Sequence, residues 1–453
     1  WRQSESRHWH GAARAPNPTG AMLTTPAAQN EENAPGCMAG CQDGCKAIAT
    51  CWKPLLYAQP WIALAPIVAA PKKVTPMVYT PRAGRFVVAF CGSGTGHMTQ
   101  TLAVTQLLKA RGMELAGIVL DVDASQKMID ETLAPLGVPR LVLPAVKLVD
   151  PQNGTVPTIV TLASLVTGLH QLKKMYGEIE DFFKEARAEV ILSFWHVTLA
   201  YYLRDRPPPY GARISNVAPQ FALRSLEVRE LHFWEIIGKA TIDVMASLFL
   251  QTGPCFSLSA TPKPDSLPPI LELPAPATSF YPRLVLCYFL AQNDAIRLER
   301  LLAQYSINGV EFHCFTADAL TPPKGRPLSL ASHKKQRALF RHYFEQCTGI
   351  ICSTGNETIW EGVSRGVPVL TVPTGGHPEQ MMNARIHGAA FPHSVRAVSR
   401  IRIEDVRWLV DFEPTEESRA ESQGLRARAA SFDKVGAATL LGGAADEANA
   451  VAE

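Results

Sequence analysis

The feature that most constrains the fold is one order of elements that occurs in both halves of the chain. In residues 350–372, a short apolar run predicts a strand, a Ser-Thr-Gly-Asn turn follows, a helical pattern covers 357–364, and a second strand covers 369–372. Residues 86–120 have the same order around a Cys-Gly-Ser-Gly-Thr-Gly-His loop. Strand, glycine-rich turn, helix and strand make a βαβ unit, so each half predicts a doubly wound α/β domain.

Proline marks the boundary between the two halves. Residues 261–283 hold seven prolines, which is the composition of a semi-rigid, extended linker. We therefore predict an irregular N-terminal extension (1–80), a Rossmann-like domain (81–262), a Pro-rich linker (263–283), a second Rossmann-like domain (284–415) and an Ala-rich tail or helix (416–453). The length of 453 residues suits two domains with tails.

Composition excludes several classes of protein. The net charge of +3 is small for this length and the basic residues are scattered, so no nucleic-acid partner is expected. No apolar run reaches the roughly 18 residues that span a bilayer, and a soluble or peripheral protein of the cytoplasm or an organelle is expected. The spacing of Cys37, Cys41, Cys45 and Cys51 does not match the paired ligands of structural zinc sites, so no metal is expected.

The second half places polar residues where a nucleotide would bind. Ser353, Thr354, Gly355 and Asn356 precede a helix whose amino terminus can hold a phosphate. One helical turn later, Glu361 can accept both hydrogen bonds of a ribose diol. After the next strand come small and polar residues suited to the hydroxyls of a sugar. These are Gly376, His377, Glu379, Gln380 and Asn383.

The glycine loop of the first half has two interpretations. A dinucleotide fingerprint, G-x-G-x-x-G, needs a glycine where His97 stands, although Asp121 at the end of the second strand suits a dehydrogenase. The alternative is implied by the family resemblance described below, in which a loop that includes Gly94, Thr95 and Gly96 faces a donor diphosphate and presents His97. Asp121-Val122-Asp123 matches a metal motif in letters only and is interpreted as structural.

Together these motifs resemble the GT-B glycosyltransferases, in particular family 28, which contains the bacterial peptidoglycan GlcNAc transferase. The resemblance is carried by the Gly-Thr-Gly-His loop at 94–97, by the Ser-Thr-Gly turn with Glu361, by the Gly366 to Pro373 strand, and by Glu379-Gln380 with Asn383-Ala384. It implies inverting transfer of a hexosyl group from a nucleotide-sugar, most often a UDP-sugar, without a bound metal or other cofactor. It also implies a donor-binding second domain and an acceptor-binding first domain, with His97 as the base.

The resemblance leaves the acceptor open between a glycan, a lipid and a small molecule. Residues 228–258 are apolar at helical spacing, which predicts core packing, with peripheral membrane contact as the alternative. His196, at the end of a strand, either reaches the cleft or belongs to an aromatic packing cluster with Trp195. A UDP-sugar epimerase, an NAD-dependent dehydrogenase and a non-catalytic nucleotide-sugar-binding protein remain alternative functions.

Overall fold

A computed structural model describes residues 84–92, 95–121, 132–144, 168, 170–208, 211–263, 266–272 and 283–441. All of them belong to one compact unit, Pro71–Glu453. The predicted extension 1–80 with its four clustered cysteines, Gly94, Asp123, most of the Pro-rich linker and the tail after 441 lie outside the described residues.

The first lobe is built on a seven-stranded sheet. All of its strand pairs are parallel, in the order β3-β2-β1-β4-β5-β6-β7. The strands are β1 (Arg85–Phe90), β2 (Glu114–Asp121), β3 (Arg140–Leu143), β4 (Val190–Phe194), β5 (Arg213–Ala218), β6 (Cys255–Leu258) and β7 (Ser266–Leu267). The central strands are continuous apolar runs because helices cover both faces of a parallel sheet. Strand β7 lies inside the Pro-rich range.

The longer helices of this lobe have defined bounds. They are α1 (Thr95–Ala110), α2 (Tyr176–Ala186), α3 (Val197–Asp205) and α4 (Phe233–Leu250). A 3₁₀ helix, Pro219–Ser225, follows β5. Among the helices of the described ranges, none is both long enough and apolar enough to cross a membrane.

The second lobe repeats the plan with six parallel strands in the order β10-β9-β8-β11-β12-β13. The strands are β8 (Arg283–Tyr288), β9 (Val310–Thr316), β10 (Ala331–Lys334), β11 (Gly349–Ser353), β12 (Val369–Val372) and β13 (Val395–Ala397). Its helices are α5 (Gln292–Gln304), α6 (Arg337–Gln346), α7 (Glu357–Arg365), α8 (Pro378–Ala390) and α9 (Ile403–Val410). Both sheets have the strand order of a doubly wound domain, so the predicted fold class is confirmed.

Two contacts join the lobes away from the sheets. Helix α4 packs against α8, where Gly238 lies directly on Pro378 and Arg385 donates two hydrogen bonds to Glu235, at 2.9 and 3.1 Å. The last helices, α10 (Glu416–Ala430) and α11 (Val435–Leu440), return to the first lobe. Arg428 there donates to the Ser259 carbonyl at 2.8 Å. These contacts fix the angle between the two sheets.

Candidate functional site

The topology places the candidate site residues at one kind of position in each sheet. Strand β1 lies between β2 and β4, and β8 lies between β9 and β11, so the strand order reverses at β1 and at β8. Doubly wound sheets bind ligands in the crevice outside the carboxyl ends of the strands at this point. The loop after β1 and the turn after β11 therefore stand at the two ligand-binding edges that the fold provides.

Helix α1 begins within the predicted glycine loop. Thr95 opens the helix, and Gly96 and His97 lie in its first turn. Asp121, buried at the end of β2, accepts a hydrogen bond from the Gly92 N–H. Asp121 thus fastens the start of the loop to the neighbouring strand, which is a structural role.

The polar side chains of the turn after β11 hold that turn in place. Ser353, Thr354 and Asn356 are buried. Their oxygens accept hydrogen bonds from the Leu290 N–H at 2.9 Å, the Thr371 hydroxyl at 2.9 Å and His387 Nε2 at 3.0 Å, respectively. Gly355 is exposed, and a Cβ added to it would meet no atom within 4 Å. The chain directly before α7 therefore borders open space at Gly355, and the first backbone N–H groups of α7 have no carbonyl partner within the helix.

Glu357, the first residue of α7, makes the contact with the opposite lobe. Gln100 Nε2 on α1 donates a hydrogen bond to Glu357 Oε1. A Cβ on Gly96 would lie 2.8 Å from Glu357 Cδ, so the carboxyl group packs on the backbone of α1 and a side chain at position 96 would displace it. Desolvation in this contact raises the pKa of Glu357 to about 7, with a further increase from the charge of Glu379.

Glu361 lies one helical turn further along α7 and is buried. Its Oε1 accepts a hydrogen bond from Arg341 Nη2 on α6 at 2.8 Å. Burial raises the pKa of Glu361 to about 7, although Arg341 acts in the opposite direction. Arg341 also pairs with Glu272, in the segment between the lobes. The predicted ribose acceptor is therefore oriented by an arginine, with its second oxygen left for a ligand.

Glu379, at the start of α8, is linked to His97 through Gln220. Gln220 Nε2 donates to Glu379 Oε1 at 3.1 Å and lies 3.4 Å from His97 Nε2. Gln220 belongs to the 3₁₀ helix after β5, so this chain of three side chains crosses from the first lobe to the second. Burial raises the pKa of Glu379 to about 7.

His97 is held in its neutral form. Desolvation by burial lowers its pKa to about 4, although Gln100 acts in the opposite direction. Its Nδ1 is buried and has no hydrogen-bond partner among the described residues. The Gln220 amide N–H can only donate, so its contact assigns the free lone pair to Nε2 and the ring hydrogen to Nδ1. A neutral imidazole in this form can accept a proton at Nε2 from a bound hydroxyl group.

The other residues predicted after β12 mainly shape the backbone. Gly376 has a φ of 73°, which a turn requires and a side chain would strain. Gln380 Oε1 accepts the Thr374 N–H at 2.8 Å, and Asn383 Nδ2 donates to the Thr354 carbonyl at 3.5 Å. Both side chains thus hold loops in position, and direct contact with a sugar stays a prediction for them.

His377 directly precedes α8. Burial lowers its pKa to about 4, and its Nδ1 is buried without a partner among the described residues. It therefore lies beside Glu379 as a neutral ring with an unused nitrogen.

Trp195 packs against aromatic rings, and His196 caps the start of α3. Trp195 has a φ of 54° and stacks on Phe249, with ring centroids 5.0 Å apart. His196 is fully buried, and its Nδ1 accepts the Leu199 N–H at 3.3 Å at the start of α3. The aromatic packing interpretation fits these contacts better than a position in the cleft.

Four residues of the site were not singled out from the sequence. They are Gln100, Gln220, Arg341 and Glu357. Gln100 lies three residues after His97, and Glu357 four residues before Glu361, so helical spacing places each pair on one face. This spacing could have pointed to Gln100 and Glu357 from the sequence. Gln220 and Arg341 join the site through tertiary contacts that no local pattern reports.

The described residues contain no group of three or more His, Cys, Asp or Glu side chains placed to bind a metal ion.

Comparison with solved structures identifies the fold. No known protein-family model matches the chain, and no curated protein matches it. Among solved structures, the calicheamicin glycosyltransferase CalG4 superposes with a TM-score of 0.53 at 13% identity, covering 82% of this chain and 98% of that one. The glycosyltransferase of kitacinnamycin gives a TM-score of 0.52 at 14% identity, covering 82% and 99%.

A plant enzyme gives the same result. UGT2 of Phytolacca americana, solved with UDP-2-fluoro-glucose and pterostilbene, superposes with a TM-score of 0.52 at 14% identity, covering 82% of this chain and all of that one. The chain therefore has the GT-B fold, two Rossmann-like domains facing each other, as the sequence predicted. The particular likeness to family 28 stays a prediction.

Proposed function

We propose that this protein is a glycosyltransferase that moves a hexosyl group from a nucleotide-sugar, with UDP-sugar as the expected donor, to an acceptor hydroxyl group. The observation that carries the proposal is the chain of contacts from His97 through Gln220 to Glu379, beside the amino terminus of α7. It brings a neutral base from one lobe to the polar residues and helix terminus of the other. That is the arrangement that attack on a bound sugar requires.

Each predicted residue has a role that its surroundings support. The amino terminus of α7 holds the diphosphate, because its free N–H groups and partial positive charge stabilise a departing anion without a metal. Glu361 accepts from the ribose hydroxyls, and Glu379 accepts from the hydroxyls of the sugar. His97 takes the proton of the acceptor hydroxyl, and the nearby Glu379 carboxyl stabilises the imidazolium that forms. Attack from the side opposite the diphosphate inverts the anomeric carbon.

The acceptor and the membrane contact are proposed from one surface. Phe233 and Trp234 open α4 and are 64% and 61% exposed. They lie about one helical turn from Gly238, which packs on Pro378 beside Glu379. We propose that this aromatic pair contacts an apolar acceptor, lipid or small molecule, at a membrane surface. Replacing both by serine should abolish cosedimentation with lipid vesicles, and a wild-type protein that stays in the supernatant would contradict the membrane contact.

The proposed function is tested first by binding. A thermal-shift panel should include UDP, UDP-glucose, UDP-galactose, UDP-GlcNAc and NAD. A ligand at about 100 times its dissociation constant adds roughly 2.7 kcal/mol to the free energy of unfolding. A shift with UDP compounds is expected. A shift with NAD alone would indicate the dehydrogenase instead.

The role of His97 in catalysis is tested with His97→Ala. The matched control is His342→Ala, because His342 is an exposed histidine of α6. His97→Ala should retain UDP affinity and lose acceptor-dependent release of UDP, while His342→Ala keeps both. Turnover by His97→Ala at the wild-type rate would refute the base assignment. Conversion of the UDP-sugar without any acceptor would identify an epimerase.

A further inference from the structure

Helix α7 opens with an acidic residue at the point where the proposed function places the donor phosphates. The Glu357 carboxyl group contacts Gln100 and the backbone at Gly96, which lies in the first turn of α1. Since Glu357 is also the first residue of α7, one carboxyl group lies beside the amino-terminal ends of two helices. Both ends carry partial positive charge, and an anion is stabilised there. A phosphate group would compete with Glu357 for the same place.

The partner of Glu357 favours the protonated carboxyl. Gln100 is fully buried, and its Oε1 has no hydrogen-bond partner among the described residues. An ionised carboxylate accepts from the Gln100 amide and offers nothing in return, whereas a carboxylic acid also supplies an O–H donor. A buried amide oxygen left without a donor is costly, so the acid form satisfies Gln100 better than the carboxylate does.

The other titratable side chains around Glu357 also favour the acid form, although its own backbone N–H and the two helix ends favour the carboxylate. Glu379 on α8 contributes a negative charge, and Glu361 stands one turn later on the same helix. On α1 the titratable group is His97, which is neutral near pH 7. Arg341 on α6 bonds Glu361 rather than Glu357. Glu357 therefore faces carboxyl groups and a neutral ring.

We propose that Glu357 binds the donor diphosphate as a carboxylic acid, so that in alkaline solution, where this carboxyl group is ionised in the free protein, a nucleoside diphosphate binds together with one proton taken from solvent. This inference rests on the proposed function, because it needs a nucleotide at the amino terminus of α7. An ionised carboxylate within hydrogen-bond distance of a phosphate oxygen repels it. The neutral acid donates its O–H to that oxygen instead, and on release of the nucleotide the carboxyl group returns to Gln100.

Calorimetry of the full chain with UDP between pH 7 and 9 tests the proposal. This range lies above the second pKa of a terminal phosphate, about 6. The dissociation constant should rise toward about tenfold per pH unit above the pKa of Glu357. At pH 8, the binding enthalpy should differ between buffers of different ionisation enthalpy by the amount for nearly one proton taken up. Glu357→Gln, which cannot ionise, should bind UDP with the same affinity across the range and at least tenfold more tightly than wild type at pH 8.5.

A matched control separates this effect from a general change at a helix terminus. Glu416 is an exposed glutamate at the first position of α10, and Glu416→Gln should keep the wild-type pH dependence. If wild type binds UDP with one affinity at every pH and one enthalpy in every buffer, the proton-coupled role of Glu357 is wrong while the proposed function stands. If wild type binds no UDP at any pH, the proposed function itself fails. The measurement on wild type decides the question even if Glu357→Gln does not fold.

Discussion

The contact between α4 and α8 makes a quantitative prediction about stability. Gly238 is buried in α4 and lies directly on Pro378 of α8. A Cβ added at this position would overlap Pro378 Cβ, and would lie 2.8 Å from its Cγ and 3.4 Å from its Cα. The ring of proline cannot rotate away, so Gly238→Ala requires the two helices to move apart.

The magnitude follows from two opposing effects. Carbon atoms pack best at about 3.5–4.0 Å, so the helices must separate by on the order of 1 Å. Inserting a methyl group into a packed contact costs about 1–3 kcal/mol, whereas replacing glycine by alanine inside a helix gains about 0.5–1 kcal/mol. Gly424→Ala is the matched control, because Gly424 is exposed in α10 and an added Cβ there meets nothing within 4 Å. The gain in helix propensity is common to both variants, so the difference between them is the cost of the overlap, about 1–3 kcal/mol.

Thermal unfolding of the two variants measures that difference. Gly424→Ala should unfold at or above the wild-type temperature and Gly238→Ala below it. Because α8 begins beside Glu379, the movement should also lengthen the Gln220 contact and raise the KM for the donor in Gly238→Ala alone. If Gly238→Ala is as stable as Gly424→Ala and turns over normally, the packing of the two lobes through α4 and α8 has been misjudged.

Two further predictions concern the carboxyl groups of the site. Arg341→Ala should weaken UDP binding about tenfold or more at pH 7. Arg341 lowers the pKa of Glu361, so without it a larger fraction of Glu361 is protonated and accepts hydrogen bonds from the ribose less well. Arg337→Ala, one turn earlier on α6 and bonded to Glu272 instead, should change it little, and equal losses in both variants would argue against this role. Burial raises the pKa of Glu379 above its unfolded value, so its contribution to stability is complete below pH 4.5 and is lost as the pH rises through about 7. Glu379→Gln should therefore reduce the fall in unfolding temperature between pH 5 and 8, and an unchanged fall would contradict that pKa.

The fold was predictable because its strands are buried on both faces and its helices start and stop at recognisable residues. Continuous apolar runs such as 86–90 and 369–372 are typical of parallel strands, and each was followed by a turn at the observed position. Gly366 ends α7 with a φ of 81°, as a glycine after a helix commonly does. The Pro-rich range was less informative, since proline composition does not reveal that β7 adds a seventh strand to the first sheet.

The site was predictable residue by residue only where a single element determines it. The turn after β11, the first turn of α1 and the start of α8 follow from local pattern, and the sheet topology then places them at the crevice. The contact between Gln100 and Glu357 joins residues 257 positions apart. Periods of 2 and 3.6 residues report which face of an element is buried, and carry no information on the angle at which two lobes meet. That angle is set by α4 on α8 and by the return of α10, so tertiary packing alone decides that Glu357 faces α1. Both carboxyl groups on this face of α7 were available to the sequence, but only the tertiary contacts show that Glu357 meets α1 while Glu361 meets Arg341 of α6.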